Sequence, residues 1–145
     1  MSMSQRKTAV LIGMATLVLL GCATPLPPEV RMRADKPKSC ATPDCGVGVY
    51  VVPDGVACRI VVDPALLIVR SKGESTIRFE LMASGYRFTH DGIAFPDAGD
   101  EFQCSHGPRQ VNCRNRHSKS EGYKYNVKVT GPCYTPTLDP YVMND

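Results

Sequence analysis

Thr76-Ile77-Arg78-Phe79-Glu80-Leu81-Met82 is the stretch that decides the fold class. Ile77, Phe79 and Leu81 fall on one face; Thr76, Arg78 and Glu80 fall on the other. That period of two belongs to a half-buried strand. Tyr123 to Val129 repeats it, with Tyr123, Tyr125, Val127 and Val129 alternating with Lys124, Asn126 and Lys128. Working outward, Val49 to Val52, Arg59 to Val62 and Leu66 to Val69 are short apolar runs, separated by Pro53-Asp54-Gly55 and Asp63-Pro64, which are turn chemistry. Tyr86 to Thr89 and Ile93 to Phe95 flank His90-Asp91-Gly92, read as a hairpin turn. Phe102 to Cys104 and Gln110 to Cys113 complete a set of about seven to nine strands, a number and spacing that indicate a sandwich or barrel. The expected fold is all-β: a small antiparallel β-sandwich (Ig-like) or barrel with disulfides. Its expected core is Val49, Val51, Ile60, Val62, Ile68, Ile77, Phe79, Leu81, Phe88, Phe95, Phe102, Tyr125, Val127 and Val129.

The first residues do not fit that pattern. Arg6 and Lys7 precede Thr8 to Leu20, an uncharged apolar run too short to span a bilayer as a helix, which needs about 20 residues. The run ends in Leu19-Leu20-Gly21-Cys22. A basic start, an apolar run and a small residue at its end make an export signal. The end of the run resembles the lipobox of bacterial prolipoproteins. The resemblance implies cleavage before Cys22, acylation of that cysteine and a membrane partner through the lipid anchor. It covers residues 1–22 only. Ala23, where an Asp favours inner-membrane retention in Gram-negative relatives of this pathway, leans the address toward the outer membrane. Residues 23–38, ATPLPPEVRMRADKPK, hold four prolines and no apolar period, and read as an extended tether. The expected organisation is a signal peptide over 1–21, the acylated cysteine and tether over 22–38, and the sandwich over 39–145.

Six cysteines follow the lipid site: Cys40, Cys45, Cys58, Cys104, Cys113 and Cys133. An even number in an exported chain suggests a disulfide framework. Pro43-Asp44 would turn Cys40 back onto Cys45, and Gly107-Pro108 would turn Cys104 back onto Cys113. Cys58–Cys133 is then forced. Other chemistry is harder to find. No Cys-x-x-Cys is present for redox work. Cys104, His106, Cys113 and His117 suit Zn²⁺ by type but lack the tight cysteine pair of structural sites. No nucleophile elbow or phosphate loop occurs. His90 and Asp91 are neighbours on one strand or turn, so Asp91 is badly placed to orient His90. Asp97, Asp100 and Glu101 read as a solvated acidic loop. No cofactor, metal or catalytic residue is expected, and the chain is read as a non-enzyme.

Charge adds one candidate surface. The chain carries 17 Lys+Arg against 14 Asp+Glu, and loss of Arg6 and Lys7 with the leader leaves 15 against 14. That balance excludes the basic face of a nucleic-acid binder. The densest cationic stretch is Arg114, Arg116 and Lys119, the candidate residues for an envelope-protein or cell-wall partner.

Two weaker likenesses concern the mature part. From Ile77 to Asn144 the order of alternating strand, GYRF, DGIAF, FQC, a second Cys, YKYNVKV and DPYVMN resembles small uncharacterised exported proteobacterial β-proteins. That likeness covers about half the chain and carries no function. Ala83-Ser84-Gly85-Tyr86-Arg87-Phe88 is similar to a Ser-Gly-x-x-aromatic stretch of membrane-bound periplasmic lysozyme inhibitors, themselves lipoproteins. The Trp-x-Lys-Gly segment those inhibitors place in the lysozyme cleft is Phe95-Pro96-Asp97-Ala98-Gly99 here, without Trp or Lys. The reading is therefore an envelope-anchored binding or structural module, with an inhibitor of a wall-degrading enzyme such as lysozyme as the alternative.

Overall fold

A computed structural model describes residues 35–145. The leader, Cys22 and most of residues 22–38 lie outside the described residues. Within them the chain is all-β: β1 (Lys38–Cys40), β2 (Asp44–Asp54), β3 (Ala57–Asp63), β4 (Leu66–Val69), β5 (Ser75–Leu81), β6 (Arg87–Ala94), β7 (Phe102–His106), β8 (Gln110–Asn115), β9 (Gly122–Lys124), β10 (Asn126–Thr130) and β11 (Tyr141–Asn144). Lys38, assigned above to the tether, already pairs with Leu67 in β1.

The strands form a five-stranded sheet in the order β3-β2-β5-β8-β7, a four-stranded sheet in the order β1-β4-β11-β9, and the pair β10-β6. β5 lies at the centre of the first sheet, and its period of two explains why. Ser75, Ile77, Phe79 and Leu81 are buried, with more exposed residues between them. Most ladders are antiparallel, but β2 runs parallel to β5, and both β1 and β11 run parallel to β4.

The core fills the space enclosed by the sheets. Phe79 of β5 meets Tyr125 with ring centroids 5.1 Å apart. Phe95 stacks on Phe102 at 3.9 Å, and Phe102 meets Tyr123 edge-on at 5.1 Å. Tyr125 sits where the chain leaves the four-stranded sheet as β9 and joins β6 as β10. The single strand expected over Tyr123 to Val129 is thus two strands with an unbroken buried face. Burial raises the pKa of the Tyr125 phenol, and its hydroxyl has no hydrogen-bond partner.

Three expectations are corrected. Ile68 is not in the core: β4 buries Leu67 and Val69 and turns Leu66 and Ile68 outward. Phe95 is only half-buried, packed on the core edge. His90-Asp91-Gly92 is not a hairpin turn, because β6 runs through it as one strand. Val127 pairs with Ile93 and Val129 with Phe88, so Thr89 to Gly92 bulge out opposite Lys128 alone. The residues that make turns also make bulges. Gly92 is needed there, since a Cβ would lie 2.7 Å from the Phe88 Cβ and 3.0 Å from the Lys128 carbonyl oxygen. Lys128 donates to the Asp91 carboxylate at 2.6 Å and the Thr89 hydroxyl donates to it at 3.0 Å, which closes the bulge.

All six cysteines pair as expected: Cys40–Cys45, Cys58–Cys133 and Cys104–Cys113. Cys104 and Cys113 stand directly opposite each other on β7 and β8. Cys58–Cys133 joins β3 to the connection between β10 and β11. A disulfide of a small exported domain contributes about 2–5 kcal/mol.

Candidate interaction surface

Arg114, Arg116 and Lys119 lie at one end of the five-stranded sheet, but they do not form a free basic loop. Arg114 is a strand residue of β8, and its guanidinium binds Glu74, with Nε donating to Oε2 at 3.2 Å. That contact holds the Glu74 carboxyl below the usual carboxylate range. Arg116 pairs with Asp100. Lys119 is exposed. Two of the three cations are therefore already matched by carboxylates.

Beneath them lies a buried polar cluster. Glu101 is 4% exposed, so the acidic loop expected over Asp97, Asp100 and Glu101 is solvated only in part. Its carboxylate accepts the Ser118 backbone N–H at 2.7 Å, the Ser118 hydroxyl, and the Asn144 side-chain amide at 3.3 Å. Asn115 and Asn144 exchange amide hydrogen bonds at 2.8 and 3.1 Å. The Asn115 side-chain oxygen also takes the N–H of His117, a residue with φ of 51°. Buried polar groups need such partners, and these tie β11 to the end of β8. The cluster is a clasp, with no open space in which a substrate could meet Glu101.

At the other end of the same sheet three connections and the start of β3 converge on Tyr86. Its ring covers Gly131, where a Cβ would lie 2.3 Å from a ring carbon. Its hydroxyl donates to the Cys58 sulfur at 3.8 Å. Its carbonyl accepts the Arg109 guanidinium at 3.0 Å, and the same guanidinium binds the Ala83 carbonyl. Arg109 sits on the β7–β8 hairpin, and its own carbonyl accepts the Leu81 N–H at 2.9 Å. The Cys58 N–H donates to the Tyr134 carbonyl at 3.0 Å beside the Cys58–Cys133 bridge. Gly85 supplies the left-handed turn, with φ of 77°. The result is a rigid frame with exposed Ser84, Arg87 and Arg109 and an open groove of about 390 Å³ lined by Gly85, Tyr86, Arg87, Thr130 and Gly131. Val56 and Tyr134, both strongly exposed, flank the bridge end. Functional loops on a rigid scaffold have this form. Sequence reasoning singled out Ala83 to Phe88 by likeness and Tyr86 to Thr89 as a strand, but not the meeting at Tyr86. The glycine at 131 and the Pro-Cys after it were the signals that a ring packs there.

The remaining chemistry is accounted for by structure. Cys104 and Cys113 are bonded to each other, so neither thiolate is available for Zn²⁺. His106 Nε2 is 2.8 Å from the Ile93 carbonyl oxygen. His90 is almost fully exposed and 3.7 Å from Asp91, whose carboxylate is committed to Lys128 and Thr89. No family model and no curated protein matches this chain.

Proposed function

We propose that this chain is a lipid-anchored, non-enzymatic module of the cell envelope that presents the Tyr86 loop frame to an envelope protein or cell-wall partner. One observation carries the reading. Seven cysteines occur in the sequence, and the six at positions 40 and beyond pair among themselves. None of those six is left to bond Cys22, the residue placed at the end of a lipobox-like leader. Three disulfides also suit an oxidising compartment, where an exported chain resides. A diacylated cysteine gives stable membrane attachment where one chain does not. Metabolic labelling with a palmitate analogue tests the anchor: the wild-type chain takes label and Cys22→Ala does not. If Cys22→Ala is labelled and membrane-bound like wild type, the anchor reading fails. Crosslinking in intact envelopes, with photoreactive residues at Val56 and Tyr134, then identifies the partner.

A second reading, an inhibitor of a wall-degrading enzyme, is favoured by one feature. The Arg109 guanidinium, held on Ala83 and Tyr86, puts a cation next to exposed Ser84, where the similar inhibitors rely on a lysine from elsewhere. Unchanged lysis of cell walls by lysozyme in the presence of a molar excess of this protein would dismiss it.

A further inference from the structure

The outer face of the four-stranded sheet carries no unpaired charge at its strand positions. Leu66 and Ile68 of β4 point outward, and in register beside them are Tyr141 and Met143 of β11. Tyr141 is 52% exposed and Met143 40%. The neighbouring outward positions are Ser39 of β1 and Gly122 and Lys124 of β9. Lys124 is paired with Asp139 at 3.1 Å. A block of two aliphatic side chains, a tyrosine and a methionine is therefore open, followed along the two strands by the exposed Arg70–Asp145 ion pair.

We propose that this face rests on the bilayer, with the lipid surface as its occupant; the proposal rests on the anchor reading above. Three features favour lipid over a protein. The chain enters the domain through β1, the edge strand of this same sheet, so an anchor at Cys22 delivers this sheet first. Lys38 lies sixteen residues beyond Cys22, a reach of up to about 50 Å in extended form, which lets the domain lie down as well as stand off. The block of four side chains is small for a stable dimer, whose interface takes about 20–30 residues a side. A small block suffices on a membrane, because tethering raises its effective concentration to about the millimolar range. Tyrosine suits the headgroup level.

The chain has no tryptophan, which supplies a clean reporter. Tyr141→Trp and, as control, Tyr134→Trp are made in the full acylated protein, each introducing the sole indole. Both sites are exposed, so both variants should fold. In vesicles of phosphatidylethanolamine and phosphatidylglycerol, the indole at position 141 should lose iodide accessibility several-fold and be quenched by brominated acyl chains. The control indole at position 134 should stay accessible to iodide. Equal accessibility at the two positions overturns the proposal. An indole at 141 that is shielded from iodide but not quenched by brominated lipid also overturns it, since a second copy or residues 23–34 then cover the face. Acyl labelling of the same samples separates the two failures: unlabelled protein refutes the anchor, and labelled protein with an exposed indole at 141 refutes only the resting face.

Discussion

Asn115 and Asn144 lie amide to amide in the interior, each side chain donating to the other's oxygen. β8 and β11 belong to different sheets, so the pair fastens one sheet to the other at a buried point. Asn144→Leu should destabilise the domain by about 1–3 kcal/mol, the penalty for stranding buried donors and acceptors on Asn115 and Glu101. Asn115→Leu with Asn144→Leu should cost less than the sum of the two single changes. A double-mutant cycle in denaturant measures the coupling, and strict additivity would show that the two amides do not act together.

The Lys128–Asp91 contact should be readable by titration. Lys128, then Thr89, holds the Asp91 carboxyl at about 2, below its ordinary value. A depressed folded pKa favours the folded state above the unfolded value of about 3.9, and this contribution is lost as pH falls toward 2. Lys128→Met should move the Asp91 midpoint, followed by carboxyl NMR, up toward the ordinary value. The bulge should also loosen, with faster amide exchange from Thr89 to Gly92.

Gly131 is where the Tyr86 frame is tightest. Gly131→Ala forces a methyl group into the Tyr86 ring and should cost about 1–3 kcal/mol, the usual penalty of overpacking. Adding Tyr86→Leu should recover part of that loss. If thermal unfolding shows Gly131→Ala to be neutral, Tyr86 is not held as described, and the groove beside it is not preformed.

Tyr125 makes the opposite test. Its hydroxyl is buried without a partner. Tyr125→Phe removes that group and keeps the ring against Phe79, so stability should be unchanged or rise by about 1 kcal/mol. A clear drop in melting temperature would reveal a partner for the hydroxyl.

Arg114→Ser, Arg116→Ser and Lys119→Ser together should leave the melting temperature nearly unchanged, because exposed ion pairs contribute little. With Glu74 and Asp100 already answering two of the cations, the triple variant should keep its envelope crosslinks. Arg109→Ser should lose them, since it both removes a cation and releases Ala83 and Tyr86. The reverse pattern, read by crosslinking yield at low salt, would move the interaction surface to the other end of the sheet.

These residues also mark what the sequence could and could not say. β5 was legible because Arg78 and Glu80 fix which face is wet. β4 was legible in extent but not in phase, because Leu66 to Val69 is apolar throughout and nothing in it says which face is wet. All three disulfides were legible, since turn chemistry inside CATPDC and between Cys104 and Cys113 left one remaining pair. β11 escaped notice because its four residues are held by partners far off in sequence, β4 and β9. Glu101 reads as a surface acid for the same reason: one of the groups that make its burial tolerable, Asn144, lies 43 residues away. The Tyr86 frame depends on contacts among three connections and β3, and no local pattern encodes such a meeting.

The Cys58–Cys133 bridge has a consequence for proteolysis. It spans 75 residues of sequence, including the exposed stretches at Pro96 to Asp97, Arg109 and Lys119. A protease that cuts any of these leaves two pieces still bonded, which migrate together until reduced. Nicking within that span therefore cannot detach the far part of the domain while the bridge is intact. Breaking every covalent link between the bridged body and residue 22 takes a cut before Cys40 or between Cys45 and Cys58. Most of the second stretch is β2, paired by β5 along its first half and by β3 along its second, so within it the exposed turn at Gly55 and Val56 is the accessible point for such a cut.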